Sequence, residues 1–428
     1  MAKKTTKSSS KKKDTQDSRS LIATIIGAIV VGIAALIGTL SGGSLTTPTA
    51  TNIPATSRPA ITTPATTSAR PTATVSGGST QVANNSSGQV SAINLSVNGL
   101  GAQKGFWQVY FTTPTGSRNA TTYLNGVDYP LATAIDGVQR NLDIAAYEWN
   151  SPRLTEAVIN ALGRGVQVRM VVDDEATIED DDSTIQQVIS AGAEVVDDSR
   201  RALMHDKFMI LDSQIVWTGS TNFTINDVYR NNNNLLMLRS RRAVEIYQAE
   251  FNEMFFDGQF GPRSSQTNSG SFNQDGTPIQ IYFAPENDVL DAMVTVVESA
   301  RTSIRFMTFS FTEAEIANAI LARAAAGASV QGIFETRGSQ TEFSELRALF
   351  CGGLSVRQDG NPNTFHHKVL IVDNRIVITG SFNWSANATE SNDENLIIID
   401  DADLAAQYIA EFDRVWSRAT VPDQSLCQ

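Results

Sequence analysis

Histidine is nearly absent from this chain: there are three in 428 residues, His205, His366 and His367. Cysteine occurs twice, as Cys351 and Cys427, too few for a disulfide framework; one bridge or two separate thiols both fit. Charge is missing from residues 21–40, and Phe, Trp and Tyr are missing from residues 41–97. A Thr-, Ser-, Ala- and Pro-rich stretch without aromatics has nothing to build a core from. Residues 41–97 therefore read as a disordered tether, with an end-to-end distance of about 40 Å as a flexible coil. The uncharged run LIATIIGAIVVGIAALIGTL is long enough to cross a bilayer core as one helix. Residues 1–20 before it carry seven Lys/Arg and two acids, which predicts a cytoplasmic N-terminus. A cleaved signal peptide is the alternative, but the run is long and no A-x-A site follows it. The expectation is a basic tail at 1–20, a single transmembrane helix at 21–40, a linker at 41–97 and a body held on the extracytoplasmic side of the cell membrane.

Basic surplus is missing from that body. The first 97 residues contribute +7 to a chain of net charge −12, so the remainder carries −19. An acidic body argues against tight, sequence-independent nucleic-acid binding, which rests on phosphate neutralisation, while leaving room for a local basic groove. The acidic run at 173–182 lacks the glycine and terminal glutamate of a calcium loop, so it reads as a solvated loop.

What the body does contain is a repeat. His205, Lys207 and Asp212, closed by Gly219, Ser220 and Asn222, recur 161 residues later as His366, Lys368 and Asp373, closed by Gly380, Ser381 and Asn383. Repeated sequence implies repeated structure. The surroundings run in parallel too. Apolar runs and amphipathic stretches predict strands at 107–111, 142–149 and 166–172 with helices at 131–140, 154–164 and 243–255. Their counterparts are strands at 279–283, 303–311 and 329–334 with helices at 289–300, 313–326 and 402–416. Strands alternating with helices mean a mixed sheet covered by helices, once in residues 98–260 and again in 278–428. The polar segment 261–277 between them reads as a hinge.

Each motif copy reads as a hairpin. Residues i and i+2 of a strand share a face, so His205 projects with Lys207 and His366 with Lys368, while His367 faces away. Ser and Asn at the end of the return strand can face the same pocket. Two imidazoles, two ammoniums, two hydroxyls and two carboxamides suit a tetrahedral oxyanion. Lys and Asn would donate to phosphate oxygens, one His would attack phosphorus, and the other would protonate the leaving oxygen.

The paired His-x-Lys-x4-Asp and Gly-Ser-x-Asn motifs resemble those of the phospholipase D superfamily over roughly residues 105–418. The segment Asn392-Asp393-Glu394-Asn395-Leu396 and the segment Tyr282-Phe283-Ala284-Pro285 are similar to its nuclease-like and bacterial phospholipase D-like branch. The resemblance implies two similar α/β halves packed about a pseudo-twofold axis, a transiently phosphorylated histidine, and no metal or other cofactor. It also implies that Asp212 and Asp373 support the site more than they touch substrate. Glu394 lies 28 residues after His366, and Asn233 lies 28 after His205. On that spacing Glu394 is expected to charge His366 as the acid, and Asn233 to leave His205 neutral as the nucleophile. The implied activity is hydrolysis of a phospholipid headgroup diester by a monomeric body tethered to the membrane. A metal-independent endonuclease and a cardiolipin synthase-like phosphatidyl transferase are the alternatives, and a non-enzymatic adhesion role would need an intact double motif to be idle.

Overall fold

The computed structural model describes residues 88–95, 98–265 and 268–428. The basic tail, the apolar run 21–40 and nearly all of the proposed tether lie outside the described residues. Among the described residues no helix is long and apolar enough to cross a membrane.

The first half runs β1 (Ser91–Ile93), β2 (Gly99–Lys104), β3 (Trp107–Thr112), α1 (Asp128–Asp136), β4 (Asn141–Ala146), α2 (Pro152–Gly163), β5 (Gln167–Val172), α3 (Ile185–Ser190), β6 (Glu194–Asp197), β7 (Lys207–Leu211), β8 (Ile215–Gly219), α4 (Ile225–Tyr229), β9 (Asn234–Leu238) and α5 (Arg241–Asp257). The second runs β10 (Gly270–Gln274), β11 (Thr277–Ala284), α6 (Val289–Glu298), β12 (Ser303–Thr308), α7 (Ala314–Ala325), β13 (Ser329–Phe334), α8 (Leu346–Cys351), β14 (Ser355–Gln358), β15 (Lys368–Val372), β16 (Ile376–Gly380), α9 (Ala386–Glu390), β17 (Glu394–Asp400) and α10 (Ala402–Trp416). The sheet orders are β1-β2-β3-β9-β8-β7-β4-β5-β6 and β10-β11-β17-β16-β15-β12-β13-β14. From β3 and β11 onward the two orders match strand for strand. In each sheet the last three strands are parallel and the rest antiparallel.

The motif strands β7 and β15 are buried along their whole length, as KFMIL and KVLIV. Central strands covered on both faces need continuous apolar runs, and these two have them. α5 and α10 lie between the sheets. Tyr247 and Phe251 from one, and Tyr408 and Phe412 from the other, share a single core with Phe208, Ile210, Val369 and Ile371. α1 and α2 cover the outer face of the first sheet, and α6 and α7 that of the second. α5 starts at Ser240, which accepts from the Ala243 N–H, and stops at Gly258 with φ 60°, a left-handed cap.

Two boundaries differ from the sequence reading. β1 lies inside the segment 41–97, pairing Ile93 with Gly101. The segment 261–277 is not a bare hinge: β10 forms the edge of the second sheet, antiparallel to β11. Both are polar edge strands, buried on at most one face, and carry no apolar run to announce them. Cys351 and Cys427 are joined by a disulfide, tying the end of α8 to the C-terminus.

Candidate active site

Each motif begins where a segment of one half meets the other. Met204 pairs in parallel with Asp393, and Phe365 with Asn232. The His205 N–H donates to the Asp393 carbonyl at 2.9 Å, and the His366 N–H to the Asn232 carbonyl at 2.9 Å. The residue after each acceptor therefore lands on the other half's histidine. Glu394 Oε2 sits 2.7 Å from His205 Nδ1. Asn233 Oδ1 sits 3.0 Å from His366 Nδ1, with Asp227 Oδ1 at 3.3 Å. This reverses the expected pairing: Glu394 belongs to His205, and Asn233 to His366. The two imidazoles are both capped at Nδ1, which leaves Nε2 as the atom free for chemistry in each.

The lysines are as buried as the histidines. Lys207 Nζ donates to the His205 carbonyl at 2.5 Å and lies 4.8 Å from the Tyr147 ring centre. Lys368 Nζ donates to the His366 carbonyl at 3.1 Å and lies 4.9 Å from the Phe309 ring centre. Tyr147 and Phe309 also meet the imidazoles edge-on, with ring centres 4.7 and 5.0 Å away. Burial pulls Lys207 down to about 8 and Lys368 well below its ordinary value, the latter with help from Lys207. Burial and the neighbouring ammoniums keep His205 well below 6.5 and take His366 to about 3. Burial pushes the Glu394 carboxyl up to about 8, against the pull of Lys207. Burial also pushes Asp227 upward, yet hydrogen bonds from His366, Thr224 and Asn233 outweigh it and hold Asp227 at about 2.

The remaining motif residues divide. Ser220 Oγ donates to Asn233 Oδ1 at 2.8 Å and accepts the Asn234 N–H at 3.1 Å; Ser381 Oγ accepts the Asn395 N–H at 2.9 Å. Both hydroxyls brace the junction that carries the histidine's partner. Asn222 departs from its expected role as a phosphate donor: its amide NH2 goes to Glu148 Oε2 at 3.0 Å and Asp227 Oδ2 at 3.4 Å. Asn383 is half-buried, and no carboxylate bonds its amide among the described residues. Asp212 and Asp373 stay out of the cleft. They sit in the hairpin turns at φ 50° and 52°. The Asp212 carboxylate accepts the N–H groups of Gln139, Arg140 and Asn141, and that of Asp373 those of Arg301, Thr302 and Ser303. His367 faces the other way, its Nε2 3.2 Å from Glu411 Oε1.

The sequence reading missed Asp227, Glu148 and Tyr147. Their counterparts in the other half are Ala388, Ser310 and Phe309, so the signal available was departure from the repeat rather than the repeat itself. Carboxylates of Asp173, Asp174 and Asp198 gather within 4.8 Å. Oxygens of Asp173 and Asp198 are engaged by the N–H groups of Ala176, Met204 and Asp174 and by Arg200; this is loop capping.

A family model described as "Cardiolipin synthase, PLD-like domain" matches residues 131–255 and 293–416, one stretch in each half. Human mitochondrial cardiolipin hydrolase is 30% identical over 129 residues, 30% of this chain and 51% of that protein. A phospholipase D of Rickettsia bellii is 33% identical over 127 residues, 30% of this chain and 63% of that protein. The chain thus spans about half to two thirds of the length of these curated relatives. Among solved structures, the phospholipase D family member Nuc from Salmonella typhimurium is 31% identical, with 33% of this chain and 96% of that one covered and a TM-score of 0.32. Phosphatidylserine synthase of Haemophilus influenzae is 15% identical, with 69% and 85% covered and a TM-score of 0.55, a likeness of fold across both halves.

Proposed function

The chain belongs to the phospholipase D superfamily, and from that premise we propose that it is a membrane-anchored phosphodiesterase that hydrolyses phospholipid headgroup diesters through a phosphohistidine. The observation that carries the reading is the pair of buried histidines, each capped at Nδ1 and each beside a lysine. His205 Nε2 attacks phosphorus, and the bond from phosphorus to the headgroup oxygen breaks. His366 gives its Nε2 proton to that oxygen. Water then attacks the phosphorylated His205, His366 takes the water's proton, and His205 is released with phosphatidate as product. Lys207 and Lys368 neutralise the charge that builds on the phosphoryl oxygens. Both histidines come from one chain, so a monomer suffices. The Cys351–Cys427 bridge fits a body on the oxidising side of a membrane, where the tether reading places it.

The same site could serve an endonuclease, or a transferase in which an alcohol replaces water. The acidic body and the apolar N-terminal run favour lipid. The test is to offer the purified full chain phospholipid micelles, plasmid DNA and bis-p-nitrophenyl phosphate in the presence of EDTA. Headgroup release with EDTA present supports the reading. Cleavage of DNA with no headgroup release replaces it with the nuclease, and activity lost to EDTA and restored by one divalent ion removes the two-lysine mechanism.

A further inference from the structure

Beneath the cleft a buried carboxamide of each half reaches across to the other. Asn395 of β17 accepts the Thr218 hydroxyl of β8 on its Oδ1 at 2.8 Å and the Tyr247 hydroxyl of α5 at 3.3 Å. Its Nδ2 donates to Asp206 Oδ1 at 2.6 Å and to Ser381 Oγ at 3.4 Å. The matching arrangement is built on Asn234 of β9. Its Oδ1 accepts the Thr379 hydroxyl at 2.9 Å and the Tyr408 hydroxyl at 3.1 Å, and its Nδ2 donates to Ser220 Oγ at 3.3 Å and to His367 Nδ1 at 3.4 Å. Asn, Thr, Tyr and Ser are the same in both. The last group differs: Asp206, next to His205, in one and His367, next to His366, in the other.

That last group decides which way the bonds run. Three of the four neighbours of the Asn395 amide are hydroxyls, which can donate or accept. A carboxylate only accepts, so Asp206 Oδ1 holds Nδ2 on its own side and turns Oδ1 toward Thr218 and Tyr247. Asp206 Oδ2 is buried with no hydrogen-bond partner, which leaves Oδ1 as the oxygen that bonds. Ser381 Oγ then receives two N–H groups, from the Asn395 backbone at 2.9 Å and from its Nδ2. Its own proton is left for the Glu394 carboxyl, which it bonds, and that bond favours the carboxylate. A charged Glu394 accepts the Nδ1–H of His205 across 2.7 Å. A protonated Glu394 would donate to Nδ1 instead, and the lone pair would be lost from Nε2. In the other half a neutral imidazole sets the same direction: His367 Nε2–H donates to Glu411 Oε1 at 3.2 Å, itself held by Arg414, so Nδ1 is the acceptor.

We propose that Asp206 is a positioning residue for the chemistry: through Asn395, Ser381 and Glu394 it sets the tautomer in which His205 keeps Nδ1–H toward Glu394 and a lone pair on Nε2. This rests on the reading of His205 as the nucleophile. The titratable groups that act with Asp206 are Lys207, Glu394, Tyr247 and Glu250 of α5, Glu286 and Asp393.

The experiment uses the full chain, with bis-p-nitrophenyl phosphate as substrate so that attack rather than leaving-group protonation is read. Asp206→Asn and Asp206→Leu remove the same charge and differ in whether an acceptor faces Asn395. Asp206→Asn should keep kcat/KM within about three-fold, whereas Asp206→Leu should lose about ten-fold or more, through kcat. The rising limb of the pH–rate profile should lie about half a unit to one unit higher for Leu than for Asn, because Glu394 loses the Ser381 bond. In a Ser381→Ala background the two limbs should coincide, and Ser381→Ala alone, with Asp206 in place, should raise the limb of the unaltered chain. The chain has three histidines, so imidazole nitrogens labelled with 15N are assignable by substitution. At about pH 8 the unaltered chain and Asp206→Asn should show Nδ1–H at His205, and Asp206→Leu a mixture with Nε2–H. Coincident limbs for Asn and Leu, a gap that survives Ser381→Ala, a limb unmoved by Ser381→Ala alone, or a full Nδ1–H in Asp206→Leu each overturn the proposal. No turnover by the unaltered chain would overturn the phosphodiesterase reading, and the imidazole spectra would still decide the role of Asp206.

Discussion

Glu394 and Asp227 give the two histidines different work. A carboxylate that accepts the Nδ1–H of His205 fixes the tautomer with a lone pair on Nε2 and steadies the positive charge that forms when Nε2 bonds to phosphorus, as the Asp of a Ser-His-Asp triad does for its imidazole. Glu394 can do this only as the carboxylate, and burial holds its carboxyl at about 8. The His205–Glu394 pair must lose a proton before His205 can attack. Activity should therefore rise with pH up to about 8. Glu394→Gln should lower kcat/KM by about 10²-fold or more and abolish that limb of the pH–rate profile. Asp227, charged and against His366 Nδ1, pulls that imidazole upward against the burial and the Lys368 ammonium that hold it at about 3, and the negative charge of a bound diester adds to this pull toward the protonated form needed for leaving-group protonation. Asp227→Asn should slow natural diesters far more than p-nitrophenyl diesters, whose leaving group needs little proton. Trapping the intermediate and mapping the phosphopeptide decides the assignment: phosphate on His366 would exchange the two roles.

At the scale of the element, the motif aspartates are staples of the hairpin rather than parts of the cleft. Asp373 holds the turn of β15–β16 against the start of β12 by accepting three backbone N–H groups, and those bonds keep its carboxyl at about 2. Asp373→Ala should cost roughly 1–3 kcal/mol in denaturant unfolding while kcat per folded molecule stays within a few-fold. Asp373→Asn, which tolerates the positive φ, should cost less. A large fall in kcat without loss of stability would put the carboxylate back in the chemistry. These elements were the readable part of the sequence: β7 and β15 are unbroken apolar runs, α5 and α10 have clear stripes, and the repeat gives their correspondence. The edge strands β1 and β10 were not readable, since an edge needs no apolar pattern. Nor was the exchange of partners between His205 and His366. Spacing along the chain places Glu394 within its own half, but the parallel bridges Met204–Asp393 and Asn232–Phe365 hand it to the other. Asp227 and Glu148 escaped notice because a search for matching positions discards the positions that differ.

The whole molecule carries its asymmetry below the cleft as well. Behind His205 gather Asp206, Glu250 and Glu253 of half one with Asp393 and Glu286 of half two, whereas the positions that match Asp206, Glu253 and Asp393 are His367 and Arg414 of half two and Asn232 of half one. Burial pushes Asp206 up to about 7 and Glu286 up to about 8, and keeps Glu250 and Asp393 well above the usual carboxyl range. Asp198 at about 7 and Glu394 at about 8 share the same cause. Each of these groups holds its proton more tightly folded than unfolded. Their contribution to stability is complete below about pH 4, where both states are protonated, and it drains away as pH rises to the folded values. The histidines are lowered, so they act in the opposite sense, but only below about 6.5, where the unfolded imidazole takes a proton. Lys207 at about 8 also opposes, but only above that value. Between about pH 6.5 and 8 the five carboxyls held at about 7 to 8, those of Glu148, Asp198, Asp206, Glu286 and Glu394, outnumber the two lowered lysines. The thermal midpoint of the full chain, measured by calorimetry at fixed ionic strength, should therefore fall by several degrees across that interval, a loss on the order of a few kcal/mol. Glu286→Gln, which removes one of the five and leaves the cleft untouched, should flatten the fall. A midpoint that holds steady or climbs from pH 6.5 to 8 would mean that water reaches these carboxyls and that the buried acidic layer around Asp206 is not dry.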